Sequence, residues 1–310
     1  MLKPPQGVAE AARLLAGGEV VALPTETVYG LGGAALNPHA CARIFEAKER
    51  PLYDPLIVHI PDLTWLGKLA RISPLVSRLA EAFWPGPLTM VLPRTELVPD
   101  LVTSGQDTVA VRMSAHPIFQ QIAMAFGQPI AAPSANRFGR ISPTHPDHVR
   151  AELDGRIPLI VDGGACQHGI ESTIVLVSGD DCLQILRHGP ITEEQLQAFA
   201  PVREASDAAV AAPGNLKSHY APRTPLDLVE VLPVADPATG LLAWTSSGEG
   251  FGHIEYLSKT QDLREAAANL YGAMRRLDES GVTRIVAESV PETGLGVAIM
   301  ERLRKAAARD

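Results

Sequence analysis

Two polar clusters stand out by the chemistry their residues allow. Lys48-Glu49-Arg50-Pro51 places two cations around a glutamate, just before a proline that ends a helix. Asp54-Pro55-Leu56-Ile57-Val58-His59 follows, an apolar run that delivers a histidine at its end. The second cluster, Pro133-Ser134-Ala135-Asn136-Arg137, closes another apolar run and is followed by Arg140 and Ser142. Cations and small hydroxyl or amide groups at strand ends of an α/β sheet hold polyanions, through charge-assisted hydrogen bonds. Cations at a helix end also simply complement the helix dipole. The residue types point to an anion-binding α/β enzyme and go no further.

Other motifs are weaker. Gly30-Leu31-Gly32-Gly33-Ala34-Ala35 has the G-x-G-x-x-A skeleton of a dinucleotide turn, but six residues separate it from the preceding strand, so close packing is the better reading. Gly164 to Gly169 has P-loop glycine spacing, yet Ile170-Glu171 stand where Lys-Ser/Thr is needed. Ser172 and Thr173 still offer hydroxyls for a ligand loop. His145-x-x-His148 lacks a metal-binding spacing and reads as surface or capping histidines. There is no G-x-S-x-G nucleophile elbow.

These groups need elements to hold them. Val8 to Leu15 has helical apolar spacing and stops at Gly17-Gly18. Asn37-Pro38 offers an N-cap with proline at the first helical position, ahead of Cys41, Ile44 and Phe45 on one face. Strand-like runs are Glu19–Pro24, Pro55–Ile60, Leu88–Leu92, Thr108–Val111, Ile130–Ala132, Leu159–Val161, Thr173–Val177 and Cys182–Leu186. Several connections are too short for crossovers, which predicts an α/β fold with a mixed sheet over residues 5–200. Residues 201–225, rich in proline and alanine, read as a linker. Beyond it, strands at Leu226–Val231, Leu241–Thr245 and Val282–Ala287 join an amphipathic helix over Asp262–Glu279 and a last helix over Gly294–Ala308. Residues 226–310 are thus expected to form a small second α/β domain.

Composition narrows the function classes. With 27 Lys+Arg against 35 Asp+Glu, the 310 residues carry a formal charge of −8, which opposes a nucleic-acid coat or polybasic membrane binder. The three cysteines, Cys41, Cys166 and Cys182, are sparse and odd in number, the usage of a reducing cytoplasm. The N-terminus lacks the apolar core of a signal peptide, and the longest uncharged run, Arg112 to Arg137, is too polar for a membrane span. A cytoplasmic protein is expected.

In combination the motifs become specific. Pro24-Thr25-Glu26-Thr27-Val28-Tyr29-Gly30-Leu31, Lys48-x-Arg50-Pro51, Pro55-Leu56-Ile57-Val58-His59, Trp84-Pro85-Gly86-Pro87-Leu88-Thr89, Val111-Arg112, Ala132-Pro133-Ser134-Ala135-Asn136 and Ser172-Thr173-Ile174 resemble, in order and spacing, the YrdC-like domain family. Ser218-His219-Tyr220-Ala221-Pro222, Asn269-Leu270-Tyr271, Gly294-Leu295-Gly296 and Arg302-Leu303 resemble the extra C-terminal domain of the long-form threonylcarbamoyl-AMP synthases. The resemblance implies a twisted open mixed sheet with helices, plus a small Rossmann-like α/β domain. It implies a reaction of L-threonine, bicarbonate and ATP that yields threonylcarbamoyl-adenylate and pyrophosphate, which a separate transferase complex uses on tRNA.

Carried over residue by residue, it assigns threonine contacts to Thr27, His59, Arg112, Ala132 and Ser172. ATP contacts fall on Lys48, Arg50, Asp54, Thr108, Ser134, Asn136, Ser142, Arg187 and Tyr220, with Tyr220 on a linker that closes over the nucleotide. Mg²⁺ is expected on the phosphates, with few protein ligands. No nucleophile or general base is implied. Asp54 stands where the family often has asparagine, and an anion there is unfavourable unless it faces Mg²⁺ or pairs with Arg50. Two other classes compete. A nucleic-acid-binding module would use the Lys48, Arg50, Arg112 and Arg140 cluster, against the overall charge. A carbamoyl-phosphate-handling or hydrogenase-maturation enzyme would need acylphosphatase and C-x-x-C segments that this sequence lacks. Little or no direct tRNA binding is expected.

Overall fold

The computed structural model describes residues 1–179, 181–204 and 219–308. Among these residues thirteen strands run in the order β1 (Val21–Leu23), β2 (Gly30–Ala34), β3 (Ile57–His59), β4 (Leu88–Pro93), β5 (Thr108–Arg112), β6 (Ile130–Ala131), β7 (Thr173–Ser178), β8 (Cys182–Arg187), β9 (Val202–Glu204), β10 (Leu226–Val229), β11 (Thr239–Ala243), β12 (His253–Tyr256) and β13 (Arg284–Glu288). The first nine form one mixed sheet, β1-β2-β6-β3-β5-β4-β7-β8-β9, and the last four a parallel sheet, β10-β13-β11-β12. The expected α/β architecture, mixed first and Rossmann-like second, is what the chain adopts.

Local signals explain the elements that matter most for the site. Asn37 caps the helix Pro38–Lys48, its side-chain oxygen accepting from the N–H groups of His39 and Ala40 at 3.0 and 3.4 Å. Glu49 ends that helix in a left-handed conformation, so Lys48 and Arg50 leave it at a sharp corner. In the sheet, β3 and β5 are parallel with His59 beside Arg112, which sets the histidine next to the guanidinium. Asp262 caps the long helix Leu263–Glu279 through the N–H groups of Arg264 and Glu265, and the last helix spans Leu295–Ala307.

The differences from expectation are instructive. The Gly30–Ala34 segment, for which close packing was preferred over a dinucleotide turn, forms strand β2, antiparallel to β1 and β6. Its glycines serve close packing: a Cβ at Gly32 would lie 2.8 Å from a Leu23 methyl, and one at Gly33 3.1 Å from Ile44. Strands β9 and β12 had no apolar alternation to announce them. Leu159–Val161 makes only single bridges, to Ala22 of β1 and to Leu2, and forms no strand of its own. The 201–225 linker is described at its two ends only, and Ser218 lies outside the described residues.

The interior of the C-terminal part is not closed on itself. Val28, Ile141, Ile170 and Tyr220 pack into the same apolar cluster as Leu270, Tyr271, Met274 and Leu303. Both sheets therefore share buried surface beside the 24–31 and 164–173 loops.

Candidate active site

Eight segments of the chain deliver polar groups to one buried pocket. It is lined by Thr25, Thr27, His59, Arg112, Ala132, Ser172, Arg50, Ser134, Arg187, Glu171, His219 and Tyr220, with Val28, Gly30, Ile57 and Pro133 as its apolar surface. All five residues expected to contact threonine lie here, as do four of the nine expected to contact ATP: Arg50, Ser134, Arg187 and Tyr220.

Arg112, at the end of β5, is 3 % exposed. Its Nη2 pairs with Glu26 Oε1 at 2.7 Å, Nη1 donates to the Thr27 hydroxyl at 3.0 Å, and Nε donates to the Gly86 carbonyl at 3.2 Å. A guanidinium has five N–H donors, so these bonds leave two without a partner among the described residues. Burial pushes the Glu26 carboxyl up, but Arg112 and the Ser114 hydroxyl outweigh it and hold it at about 2. His59 is held at about 3 by burial and by the charge of Arg112, so its imidazole is neutral at physiological pH. Across the pocket, the Ser172 hydroxyl lies 2.8 Å from that of Thr89. Arg187 donates to the Ser172 carbonyl and hydroxyl, each at 3.1 Å.

Arg50 meets Asp54 in a buried pair at 2.8 Å and donates to the carbonyls of Asp54 and Pro55. Of the two arrangements that would tolerate aspartate here, facing Mg²⁺ or pairing with Arg50, the pair with Arg50 is present. Burial raises the Asp54 carboxyl, with Arg50 opposing.

Five expected ATP contacts are not on the lining, and the structure shows where they go. Lys48 is buried, and its Nζ donates to the carbonyls of Ser134, at 2.6 Å, and Asn136. Asn136 donates in turn to the carbonyls of Arg137 and Arg140, at 2.8 and 2.9 Å. Both side chains thus tie the 134–140 loop from behind, leaving Ser134 at the front. Asp54 stands behind Arg50. Ser142 is buried beside the Glu171 carboxylate. Thr108 starts β5, four residues before Arg112 on the same strand, and pairs with Pro93 at the opposite end of the ladder from the pocket. Contacts counted from motif order alone do not separate the face of a loop from its back.

Thr25, Glu171 and His219 line the pocket, and Glu26 stands against Arg112 just off the lining, without having been singled out. Each sat inside a quoted motif or beside one, so proximity in sequence was the available signal. Burial of a carboxylate, which makes a partner obligatory, was not visible. Tyr220 has a left-handed backbone (φ 63°), unusual for a bulky residue and held by its surroundings. Its ring lies 4.1 Å from that of His219 and 5.7 Å from that of Tyr271.

A family model described as Telomere recombination (Sua5, YciO and YrdC) matches residues 13–189, and one described as Threonylcarbamoyl-AMP synthase, C-terminal domain, matches residues 191–308. The chain belongs to the threonylcarbamoyl-AMP synthase family. A threonylcarbamoyl-AMP synthase of Bacillus subtilis is 43% identical, over 97% of this chain and 92% of its own. The crystal structure of Pyrococcus abyssi Sua5 complexed with L-threonine superposes with a TM-score of 0.89 at 40% identity, over 97% of this chain and 94% of that one. The same archaeal protein with an adjacent histidine and tyrosine both replaced by alanine gives 0.88 at 38% identity, over 97% of this chain and 92% of that one. In the present sequence His219-Tyr220 is the only His-Tyr pair.

Proposed function

We propose that this chain condenses L-threonine, bicarbonate and ATP to threonylcarbamoyl-adenylate, releasing pyrophosphate and water. The carrying observation is that one buried pocket holds both an arginine with two spare donors, Arg112, and a second cationic wall, Arg50 and Arg187. A zwitterionic amino acid and a polyphosphate need that pairing of sites. Arg112, set by Glu26, takes the threonine carboxylate, with Thr27, Ser172 and the Ala132 backbone around it. Neutral His59 adds a hydrogen-bonding wall with no extra charge.

Arg50, Ser134 and Arg187 face the triphosphate, and Tyr220 closes the nucleotide side. Lys48, Asn136 and Asp54 act from behind by holding that wall, and Ser142 sits beside Glu171. Thr108 has support only from the motif. The threonine amine first attacks the bicarbonate carbon, and the new N–C bond forms as a C–O bond breaks and water leaves. The resulting carbamate oxygen then bonds to the α-phosphorus as the bond to the β-phosphate bridge breaks. The carbamate is short-lived in water, so exclusion of solvent and fixed placement are the main contributions, with cations stabilising charge on the leaving pyrophosphate.

Mg²⁺ bound to the ATP phosphates would offset their charge beside Arg50 and Arg187, with few protein ligands needed. Other proteins take the product and modify tRNA. The charge of −8 supports little direct tRNA binding. Among the described residues no helix is long and apolar enough to cross a membrane, in keeping with the cytoplasm as the place of work.

The test is pyrophosphate release measured with each substrate omitted in turn. Release that needs threonine and bicarbonate together supports the reading; release that ignores threonine overturns it.

A further inference from the structure

Arg302, on the last helix, is fully buried, and a buried guanidinium is costly unless its faces are engaged. Its Nε donates to Glu171 Oε2 at 3.2 Å. Its Nη1 donates to the His188 carbonyl and to Glu301, and its charge lies 5.7 Å from the centre of the Tyr220 ring. Tyr271, on the preceding long helix, adds its hydroxyl to the same Glu171 oxygen at 2.9 Å.

Apart from Glu301, its neighbour on the same helix, every group held in this way is in the pocket wall or one residue from it. Glu171 and Tyr220 line it directly. Ser172 follows Glu171, Arg187 precedes His188, and both of these also line it. Arg187 then bonds back to Ser172, which closes a loop of contacts around the wall. Burial raises the Glu171 carboxyl, but Arg302 and Arg187 hold it below the usual carboxylate range, so it stays charged. The long sequence separation, 131 residues between Glu171 and Arg302, means that the C-terminal sheet must dock before this wall is complete.

We propose that Arg302 is a positioning residue of the active site, through which the C-terminal domain fixes Glu171–Ser172, Arg187–His188 and the Tyr220 ring for ligand binding. It touches neither substrate. The inference takes from the proposed reaction only the identity of the ligands.

The experiment compares wild-type protein with Arg302→Met, Arg302→Lys and Tyr271→Phe. Dissociation constants are measured by calorimetry for L-threonine and for a non-hydrolysable ATP analogue, beside kcat and KM for pyrophosphate release and melting temperature. The expected result is an approximately tenfold weaker binding of at least one ligand in Arg302→Met, equivalent to about 1.4 kcal/mol. Partial recovery is expected in Arg302→Lys, and a shift of about threefold in the same direction in Tyr271→Phe, which keeps the ring and loses one hydroxyl. A merely structural arginine would lower the melting temperature and leave the binding constants of the folded protein unchanged. If Arg302→Met does not fold, Arg302→Lys and Tyr271→Phe decide the matter. Wild-type dissociation constants in both of these variants overturn the proposal. Binding is read without turnover. A wild-type protein that binds both ligands but makes no threonine-dependent pyrophosphate therefore overturns the proposed reaction while leaving the role of Arg302 to be decided by the variants.

Discussion

Replacing Glu26 by glutamine is the most informative single perturbation of this site. Glu26 and Arg112 are 5 % and 3 % exposed and meet at 2.7 Å, so neither can be hydrated in place of its partner. The carboxyl stands at about 2 in the fold against 4.5 as a free side chain. At about 1.4 kcal/mol per unit, that difference corresponds to roughly 3 kcal/mol favouring the charged form. Breaking a buried pair by removing one charge costs about 3–5 kcal/mol. Glutamine keeps one oxygen for Arg112 and turns its amide to the Ser114 hydroxyl, which can accept, so the expected loss lies at or just below the lower end of that range, about 2–3 kcal/mol at pH 7.

The sign of the pH dependence follows from the depressed carboxyl. Its contribution is complete above about pH 4.5 and is lost as pH falls through the folded value near 2. Denaturant unfolding followed at Trp84, which is buried in the N-terminal core, measures both effects. Glu26→Gln should unfold earlier at pH 7 and lose less stability than wild type between pH 4.5 and 3. Threonine binding should weaken about tenfold as Arg112 loses its fixed orientation. A variant within about 0.5 kcal/mol of wild type at pH 7, with the same acid slope, would refute the assignment of Glu26 as the group that holds Arg112.

Two further outcomes are expected. Lys48→Met unties the Ser134 and Asn136 carbonyls, so affinity for an ATP analogue should fall about tenfold while that for threonine moves less; an unchanged analogue affinity would show that the 134–140 loop needs no such anchor. His59 and His219 are both held at about 3 by burial, against 6.5 free, so stability is complete above pH 6.5 and declines below it, by up to about 1.4 kcal/mol per pH unit for each ring. A urea midpoint that stays flat from pH 7.5 to 5 would contradict this burial of neutral imidazoles.

Much of the site was legible because its residues travel in short, ordered motifs. Thr27, His59, Arg112, Ala132 and Ser172 come from five separate segments, and all five line one pocket. What the motifs did not distinguish was front from back. Lys48 and Arg50 are two residues apart, yet the left-handed Glu49 between them sends one behind the loop and the other to the pocket wall. The glycines of β2 match a ligand-turn skeleton and a packing site alike, because a glycine run records only that a Cβ is forbidden. Which neighbour forbids it, here Leu23 and Ile44, is a matter of packing.

Local chemistry therefore set the elements, with Asn37 and Asp262 starting helices, apolar runs forming the central strands, and charge arguing for a small-molecule ligand over a nucleic acid. Those signals act over a few residues and need nothing distant to operate. The pairings that complete the wall act across the chain: Arg112 with Glu26, 86 residues apart, and Arg302 with Glu171, 131 apart. A buried charge is stable only beside its counter-charge, and which pair meets depends on sheet order and on how the two sheets dock. Composition showed an acidic chain with cations to spare in a few motifs; only the tertiary fold decided which of those cations face a ligand and which are consumed in holding the others still.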